Sequence, residues 1–424
     1  MATSTTTTTT TTLPVSTKTE AKTLADESLE AVAQALWEVN HQIWSNPELG
    51  YQEHIAHDTI CDFLEKQGFS VTRHAYGIPT AFEAQSGHGG RLVCFNAEYD
   101  ALPNIGHACG HNLIATAGVA GFLALSHILR ARNVPGRTRL LGTPAEEGGG
   151  GKIKLLQAGA YEGVDVTLMA HGGTNNLRNF GPQHKGIGGV RTVAREQFFC
   201  EFTGKNAHAG ANPWDGTNAL DAFVAAYNNV SLLRQQIHDT DRIHAAITES
   251  PKAPNIIAAT TKATFATRSE TLQGLKVLSD KVTACIKAGA LATGCEVSVE
   301  NEESYADIVI NDALCRRWQA RMAEYGQDVL VSVAEPLSAS SDFGNVSYAM
   351  PAMHAIFTIP APEGTSPHHP TFTSAAGTKE AHEITVVVGK ALALVGWDVL
   401  TDNELLAASR SEWCEKMAAS GVDT

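Results

Sequence analysis

Leu29, Val32, Leu36, Val39 and Ile43 recur at steps of three and four, which places them on one apolar face of a helix, and Asn46-Pro47 stops the run. Order is therefore expected from about Glu27. Upstream, residues 3–12 are a Thr/Ser tract with nothing to bury, so residues 1–20 are expected to form a disordered arm. Further along, residues 91–100, 138–147 and 164–171 share one plan. Each opens on a short apolar run and closes on groups that bind protons or metals. Helical stretches such as 113–131 separate them. This alternation predicts an α/β fold with a doubly wound, mostly parallel sheet, whose chemistry gathers beyond the carboxyl ends of the strands.

The middle of the chain reads differently. Residues 197–203 predict a strand, and 218–237 a helix with Leu220, Phe223, Val224 and Tyr227 on one face. Residues 256–267 are β-prone, 270–293 form a second helical stretch and 296–300 a last short strand. The β-α-β-α-β order fits a small ferredoxin-like (split βαβ) domain inserted into the larger one. After about Asp307 the first domain resumes, with a helix near 313–325, a strand near 353–359 and a closing helix near 374–400. The boundaries expected are 21–191 and 307–424 for the larger domain and 192–306 for the insert.

Length and composition narrow the class. The 424 residues suit two packed domains, and 43% of them are apolar. A formal charge of −14, from 45 acidic and 31 basic side chains, argues against nucleic acid as a partner. No apolar run is expected to reach the roughly 18–20 uncharged residues of a membrane helix, and the N-terminal stretch lacks the apolar core of a secretory signal. Eight cysteines without framework spacing read as reduced thiols, hence a cytoplasmic setting.

Candidate chemistry sits at the three strand ends. In His107-Ala-Cys-Gly-His111, Cys109 and His111 stand two residues apart, so a thiolate and an imidazole can reach one Zn²⁺-like ion. Glu146 and Glu147 follow a strand and Pro144. Neighbouring extended residues point to opposite sides, so one carboxylate can hold a metal while the other faces a reacting water. Gly148 to Gly151 then suggest close approach of the backbone to a ligand. A phosphate-loop reading of these glycines with Lys152 fails, because it needs Gly at Glu146 and Ser or Thr at Ile153. His171 ends the third strand. His368 and His369 offer two more imidazoles in a Pro-stiffened loop, of which one would reach a given centre. With Cys109, His111, Glu147 and His171, one of that pair supplies enough ligands for two divalent ions sharing a bridge.

The motifs Asn46-Pro-Glu-Leu-Gly50, Glu98-Tyr-Asp-Ala-Leu-Pro103, His107-Ala-Cys-Gly-His111, Pro144-Ala-Glu-Glu147, Gly204-Lys-Asn-Ala-His-Ala209 and Ser341-Asp-Phe-Gly-Asn-Val-Ser347 run through nearly the whole chain. In these motifs the sequence resembles the co-catalytic metallopeptidases and amidohydrolases that include aminoacylases, carboxypeptidase-G-type enzymes and auxin-conjugate hydrolases. Within that group it is similar to the branch of aminobenzoyl-glutamate hydrolase and β-alanyl-lysine-type dipeptidases. The resemblance implies two divalent ions of the Zn²⁺ or Mn²⁺ class, with Cys109 as the bridging ligand and His111, Glu147, His171 and His368 completing the set. It makes Glu146 the general base and Asp100 the carboxylate that orients a ligand imidazole. His208 would steady the tetrahedral oxyanion across a homodimer interface made by the insert, which would also act as a lid. Asn255 and Arg268 would grip the substrate. Asn112 stands where many relatives carry Asp. The implied activity is hydrolysis of a small amide, either an N-acyl amino acid or a dipeptide. The same site run in reverse as an amide-forming enzyme, and a metal-binding homologue without turnover, are the alternatives.

Overall fold

The computed structural model describes residues 15–174, 183–333 and 335–421. The chain opens with helices α1 (Val15–Glu30), α2 (Ala33–Ser45) and α3 (His54–Lys66), then strands β1 (Val71–Arg73), β2 (Phe82–His88) and β3 (Leu92–Ala97). Next come α4 (His111–Arg132), β4 (Gly136–Gly142), α5 (Gly151–Gln157), β5 (Val166–Gly173) and β6 (Gly186–Val190). A second group follows: β7 (Ala194–Thr203), α6 (Ala219–Leu232), β8 (Arg242–Glu249), β9 (Thr260–Ser269), α7 (Leu272–Thr293) and β10 (Glu296–Asn301). The last elements are α8 (Asp312–Ala323), β11 (Leu330–Val333), α9 (Phe343–Ala349), β12 (Ala352–Thr358), α10 (Pro370–Ala376), α11 (Lys379–Thr401) and α12 (Asn403–Ser420).

The larger sheet has eight strands in the order β1-β2-β4-β3-β5-β12-β6-β11. Its centre, β4, β3, β5 and β12, is parallel, while β2 joins β4 and β6 joins β12 in antiparallel pairings. Alternation along the strands sends Val93, Phe95 and Ala97 of β3, and Met353, Ala355 and Phe357 of β12, into a core shared with α4 and α11. Cys94 and Met169 face the other way, against Leu155 of α5 and Phe343 and Val346 of α9. This is the doubly wound, mostly parallel architecture expected, with helices on both faces.

The smaller sheet, ordered β10-β7-β9-β8, is antiparallel throughout. Phe198, Phe202 and Phe265 pack beneath Phe223, Val282 and Ile286 of α6 and α7. Its β-α-β-β-α-β order is that of a ferredoxin-like unit. One strand more is present than the sequence suggested. β8 lies at the sheet edge and is almost wholly exposed, so it carries no buried alternation to read. The strand expected from Ile256 begins instead at Thr260.

Two further expectations are corrected. Helix α1 starts at Val15, inside the stretch read as an arm, because Ala21, Ala25 and Leu29 are buried against the core shared with α4 and α11; residues 1–14 lie outside the described residues. The single helix expected from Glu27 is α1 and α2, divided near Val32. Among the described residues two helices, α4 and α11, are apolar and long enough to cross a membrane, contrary to the reading of the chain's apolar runs. Both are core helices: 94% of the α4 window is buried, and 72% of that of α11.

The N-terminus of α4 carries His111, so its seat on β3 matters. A Cβ at Gly118 would lie 2.4 Å from the carbonyl oxygen of Asn96 on β3. Gly118→Ala gains about 1 kcal/mol of helix propensity and meets a rigid backbone, an overpacking cost of about 3 kcal/mol. The clash wins, and urea denaturation is expected to show a net loss of about 2 kcal/mol; unchanged or greater stability would contradict this contact.

Candidate metal centre

The carboxyl ends of β3, β4 and β5 lie side by side, and each delivers part of one cluster. β3 runs into Glu98, Tyr99 and Asp100, all buried. A loop then brings Cys109 to the start of α4, where Gly110 takes a left-handed conformation (φ 79°) just before His111. After β4, Ala145 is held at φ +56°, and Glu146 and Glu147 follow in a bend rather than in extended chain. Their carboxylates therefore converge instead of pointing to opposite sides. Glu146 Oε2 lies 3.7 Å and Glu147 Oε1 3.8 Å from His111 Nε2. His171 occupies the end of β5. His368 enters from the loop before α10, again with positive φ (66°).

Among the described residues three groups of ligand atoms form, each within 4.8 Å: Cys109 with His111 and His171, Cys109 with Glu147 and His368, and Glu98 with His111 and Glu146. The first two share the sulfur. Cys109 Sγ lies 3.3 Å from His171 Nε2, and His368 Nε2 3.2 Å from Glu147 Oε1. His369 instead turns its Nδ1 to Thr371 at the first turn of α10. His111 Nε2 is buried without a hydrogen-bond partner among the described residues, and the carboxylates of Glu146 and Glu147 stand just beyond hydrogen-bond range of it. An orphaned imidazole nitrogen beside a thiol and carboxylates fits a divalent ion.

Asp100 organises this side of the centre. Its Oδ1 accepts from His111 Nδ1 at 3.0 Å, which leaves the Nε2 lone pair for a metal, and its Oδ2 accepts the Glu147 N–H at 3.0 Å. Burial opposes its charge, but His111 and the Glu146 and Glu147 amides hold its pKa below the ordinary value. Glu146 is the opposite case. Burial, then the carboxylates of Glu98 and Glu147, push its pKa well up, as suits a group that takes and keeps a proton.

Several participants carried no sequence signal. Lys152 is fully buried, with Nζ 2.5 Å from Glu98 Oε1 and 2.6 Å from Asp342 Oδ1, while its own N–H donates to Asp342 Oδ2 at 2.8 Å. Tyr305 Oη donates to the Glu146 carbonyl and accepts the Gly150 N–H, each at 2.9 Å. Glu53, also buried, accepts the Ala145 N–H at 2.8 Å and so fixes the strained residue before the two glutamates. Partners so distant in sequence leave no local pattern. Two of the glycines serve the chain's own packing: a Cβ on Gly151 would lie 1.7 Å from the Pro144 carbonyl oxygen, and one on Gly149 2.6 Å from the Tyr51 ring, whereas one on Gly148 would meet no described atom within 4 Å.

A cleft of about 730 Å³ opens from Cys109, Glu146, Glu147, His171 and His368 towards the smaller sheet. Arg268 lines it, donating to Ser338 O and Ser340 Oγ. Arg195 stands opposite Arg268 across β7 and β9, over the Tyr305 ring, with Glu302 at 3.9 Å. His208 and Asn255 do not line this cleft. Their segments pair on the smaller domain, where the Asn255 carbonyl accepts the Ala209 N–H, and His208 Nδ1 accepts the N–H groups of Gly210 and Ala211.

Two ligand triads sharing a sulfur, a carboxylate base against the same space and a cleft beyond define a two-centre metal-dependent hydrolase. Residues 94–390 match the model of Peptidase family M20/M25/M40, and the chain belongs to that family. It is 40% identical over 410 residues to Xaa-Arg dipeptidase of Mus musculus, covering 92% of each chain. To Xaa-Arg dipeptidase of Homo sapiens it is 36% identical over 411 residues, covering 92% of this chain and 91% of that one. The solved structure of a dinuclear metal-binding M20 peptidase from Bacillus subtilis matches with a TM-score of 0.60 at 18% identity, over 88% of this chain and 99% of that one. The protein is a metallopeptidase that hydrolyses amide bonds.

Burial, then the charge of Asp100, raises the pKa of Glu53 from 4.5 to about 7. The unfolded chain therefore ionises first. Glu53 adds no cost below pH 4.5, and stability falls as pH rises towards 7, by about 3 kcal/mol in all. Glu53→Gln keeps an acceptor for Ala145 and removes the titration. Its stability relative to the parent is expected to rise by about that amount between pH 4.5 and 7.5 in denaturant titrations; a difference flat across this range would count against it.

Proposed function

We propose that the protein is a homodimeric dipeptidase that releases a C-terminal basic residue, arginine foremost, in a reducing compartment such as the cytosol. The shared position of Cys109 between two ligand triads, under Glu146, carries the catalytic part of this reading. The substrate class is supported by the two Xaa-Arg dipeptidases, which match over nine-tenths of the chain, and by a net charge of −14, which draws a cationic substrate in. Eight unpaired cysteines support the compartment.

The residues divide the work. Cys109, His111 and His171 would hold one ion, and Cys109, Glu147 and His368 the other; a thiolate, imidazoles and a carboxylate suit the Zn²⁺ or Mn²⁺ class. Such ions, when bound, supply Lewis-acid polarisation of the carbonyl and acidify water. Glu146 takes the proton of the attacking water and returns it to the leaving amine nitrogen. Asp100 keeps His111 in the tautomer that faces the centre. Arg268, with Arg195 beside it, receives the substrate carboxylate, since two adjacent guanidinium groups gain from an anion between them.

His208 and Asn255 are assigned to the site of the second subunit, reached across the smaller domain. Val224, Tyr227, Ile247 and Ile256 are exposed on that domain, apolar surface that a second copy would cover. In a dimer of this kind the domain also serves as the lid over the cleft.

Glu146→Gln is expected to retain two ions per chain by elemental analysis and to lose about a thousandfold in kcat on an Xaa-Arg dipeptide; near-normal turnover would remove Glu146 from the role. Mixing His208→Ala with Glu146→Gln subunits tests the shared site. If His208 acts across the interface, mixed dimers regain one working site, and a random mixture recovers about a quarter of normal activity. No recovery would place His208 within its own subunit or outside catalysis.

A further inference from the structure

His354 has no assigned part in the centre, yet it lines the cleft. It stands on β12, a strand otherwise built of Ala352, Met353, Ala355, Ile356, Phe357 and Thr358. The imidazole is buried at 6% exposure, and neither ring nitrogen has a hydrogen-bond partner among the described residues. Its ring neighbours are Phe343, 5.3 Å away, and His171, 5.9 Å away. It belongs to neither ligand triad. Leaving two polar nitrogens buried and unpartnered is costly, and Phe or Leu would fill the same space without that cost.

The surroundings indicate what completes it. Ile356, two residues on and so on the same face of β12, lines the cleft together with Val190 and Leu337. An apolar wall with an imidazole at its inner end accommodates a group with an aliphatic stem and a nitrogen tip. A neutral imidazole keeps one lone pair to accept from a guanidinium or ammonium N–H. The scissile amide belongs at Glu146 and the substrate carboxylate at Arg268, which leaves the side chain of the C-terminal residue for this sector.

We propose that His354 is a specificity-determining residue that accepts a hydrogen bond from the nitrogen tip of the substrate's basic side chain, while Val190, Leu337 and Ile356 pack its stem. This rests on the basic-dipeptide reading above, and the experiment separates the two. The metal-loaded enzyme, His354→Leu and His354→Asn are assayed on Ala-Arg, Ala-Lys and Ala-norleucine, the last having the stem without the nitrogen. The unaltered enzyme is expected to prefer Ala-Arg and Ala-Lys over Ala-norleucine at least tenfold in kcat/KM. His354→Leu should lose about tenfold or more on the basic dipeptides, chiefly through KM, and stay within about threefold on Ala-norleucine. His354→Asn, which restores an acceptor, should recover part of the preference. Metal content and melting temperature verify that each variant keeps its centre and fold; should His354→Leu not fold, His354→Phe is read in its place. An equal loss on all three dipeptides, or an unchanged ratio, overturns the role of His354 and leaves the basic-dipeptide reading standing. Absence of any preference in the unaltered enzyme overturns that reading and the role with it.

Discussion

Negative charge shut away from water is the constraint on which the rest of the structure turns. Glu98, Asp100, Glu146 and Asp342 are all buried within a short reach of one another, with Glu147 at their edge. Lys152 is the one fixed ammonium that meets them among the described residues. So many carboxylates against one lysine are unfavourable in a medium that solvates charge poorly. Lys152 offsets Glu98 and Asp342, and Asp100 is stabilised by His111 and main-chain amides. What remains, Glu146 and Glu147 beside a thiol and three imidazoles, is a donor set that divalent cations would balance. The ends of the parallel strands hold these groups together.

The geometry is bought with local strain. Ala145 and His368 both adopt positive φ without being glycine, and both precede or supply a functional group. Neither is held by its neighbours in sequence. Glu53, from the turn before α3, fixes Ala145 through its amide, and the Ala108 carbonyl accepts the His368 N–H at 2.8 Å. The second contact joins the strained residue directly to the segment that carries Cys109. The ligand sets thus arise from contacts between loops, each of which is anchored at a strand end.

What could be read in the sequence follows from this division. Strand ends announce themselves because an apolar run that stops at Asp, Glu or His is a local pattern; Asp100, Glu146, Glu147 and His171 were legible for that reason, and the larger fold with them. Cys109 and His111 sit at the head of a long apolar helix. Residues whose meaning depends on a remote partner were silent. Lys152 reads as the tail of a glycine loop until Asp342 is beside it, and Glu53 as an ordinary helix-start acid until Ala145 is seen. His354 reads as one polar interruption of an apolar strand. Edge strand β8 and the polar-rich start of α1 were missed because exposure and small residues hide the periodicity that burial creates. Gly149 and Gly151 misled because a demand for space looks the same whether a ligand or the chain itself fills it.

The link between the smaller domain and the base is a further consequence of packing. Tyr305 lies where the chain leaves that domain, and it exchanges both main-chain hydrogen bonds with Arg195, at 2.9 Å each. Its ring carries the Arg195 guanidinium, and its hydroxyl grips the Glu146 carbonyl and the Gly150 amide on the other side. One buried tyrosine therefore touches the wall of the cleft and the loop that presents the base. A shift of the strand bearing Arg195 must either carry the Tyr305 backbone with it or break two hydrogen bonds. If it carries the backbone, the strain falls on the hydroxyl contacts to the glycine-rich turn, which cannot yield easily because Gly151 is already pressed against Pro144. The arginine wall of the cleft and the loop that carries Glu146 are thus packed against one ring, and neither can move far without disturbing the other.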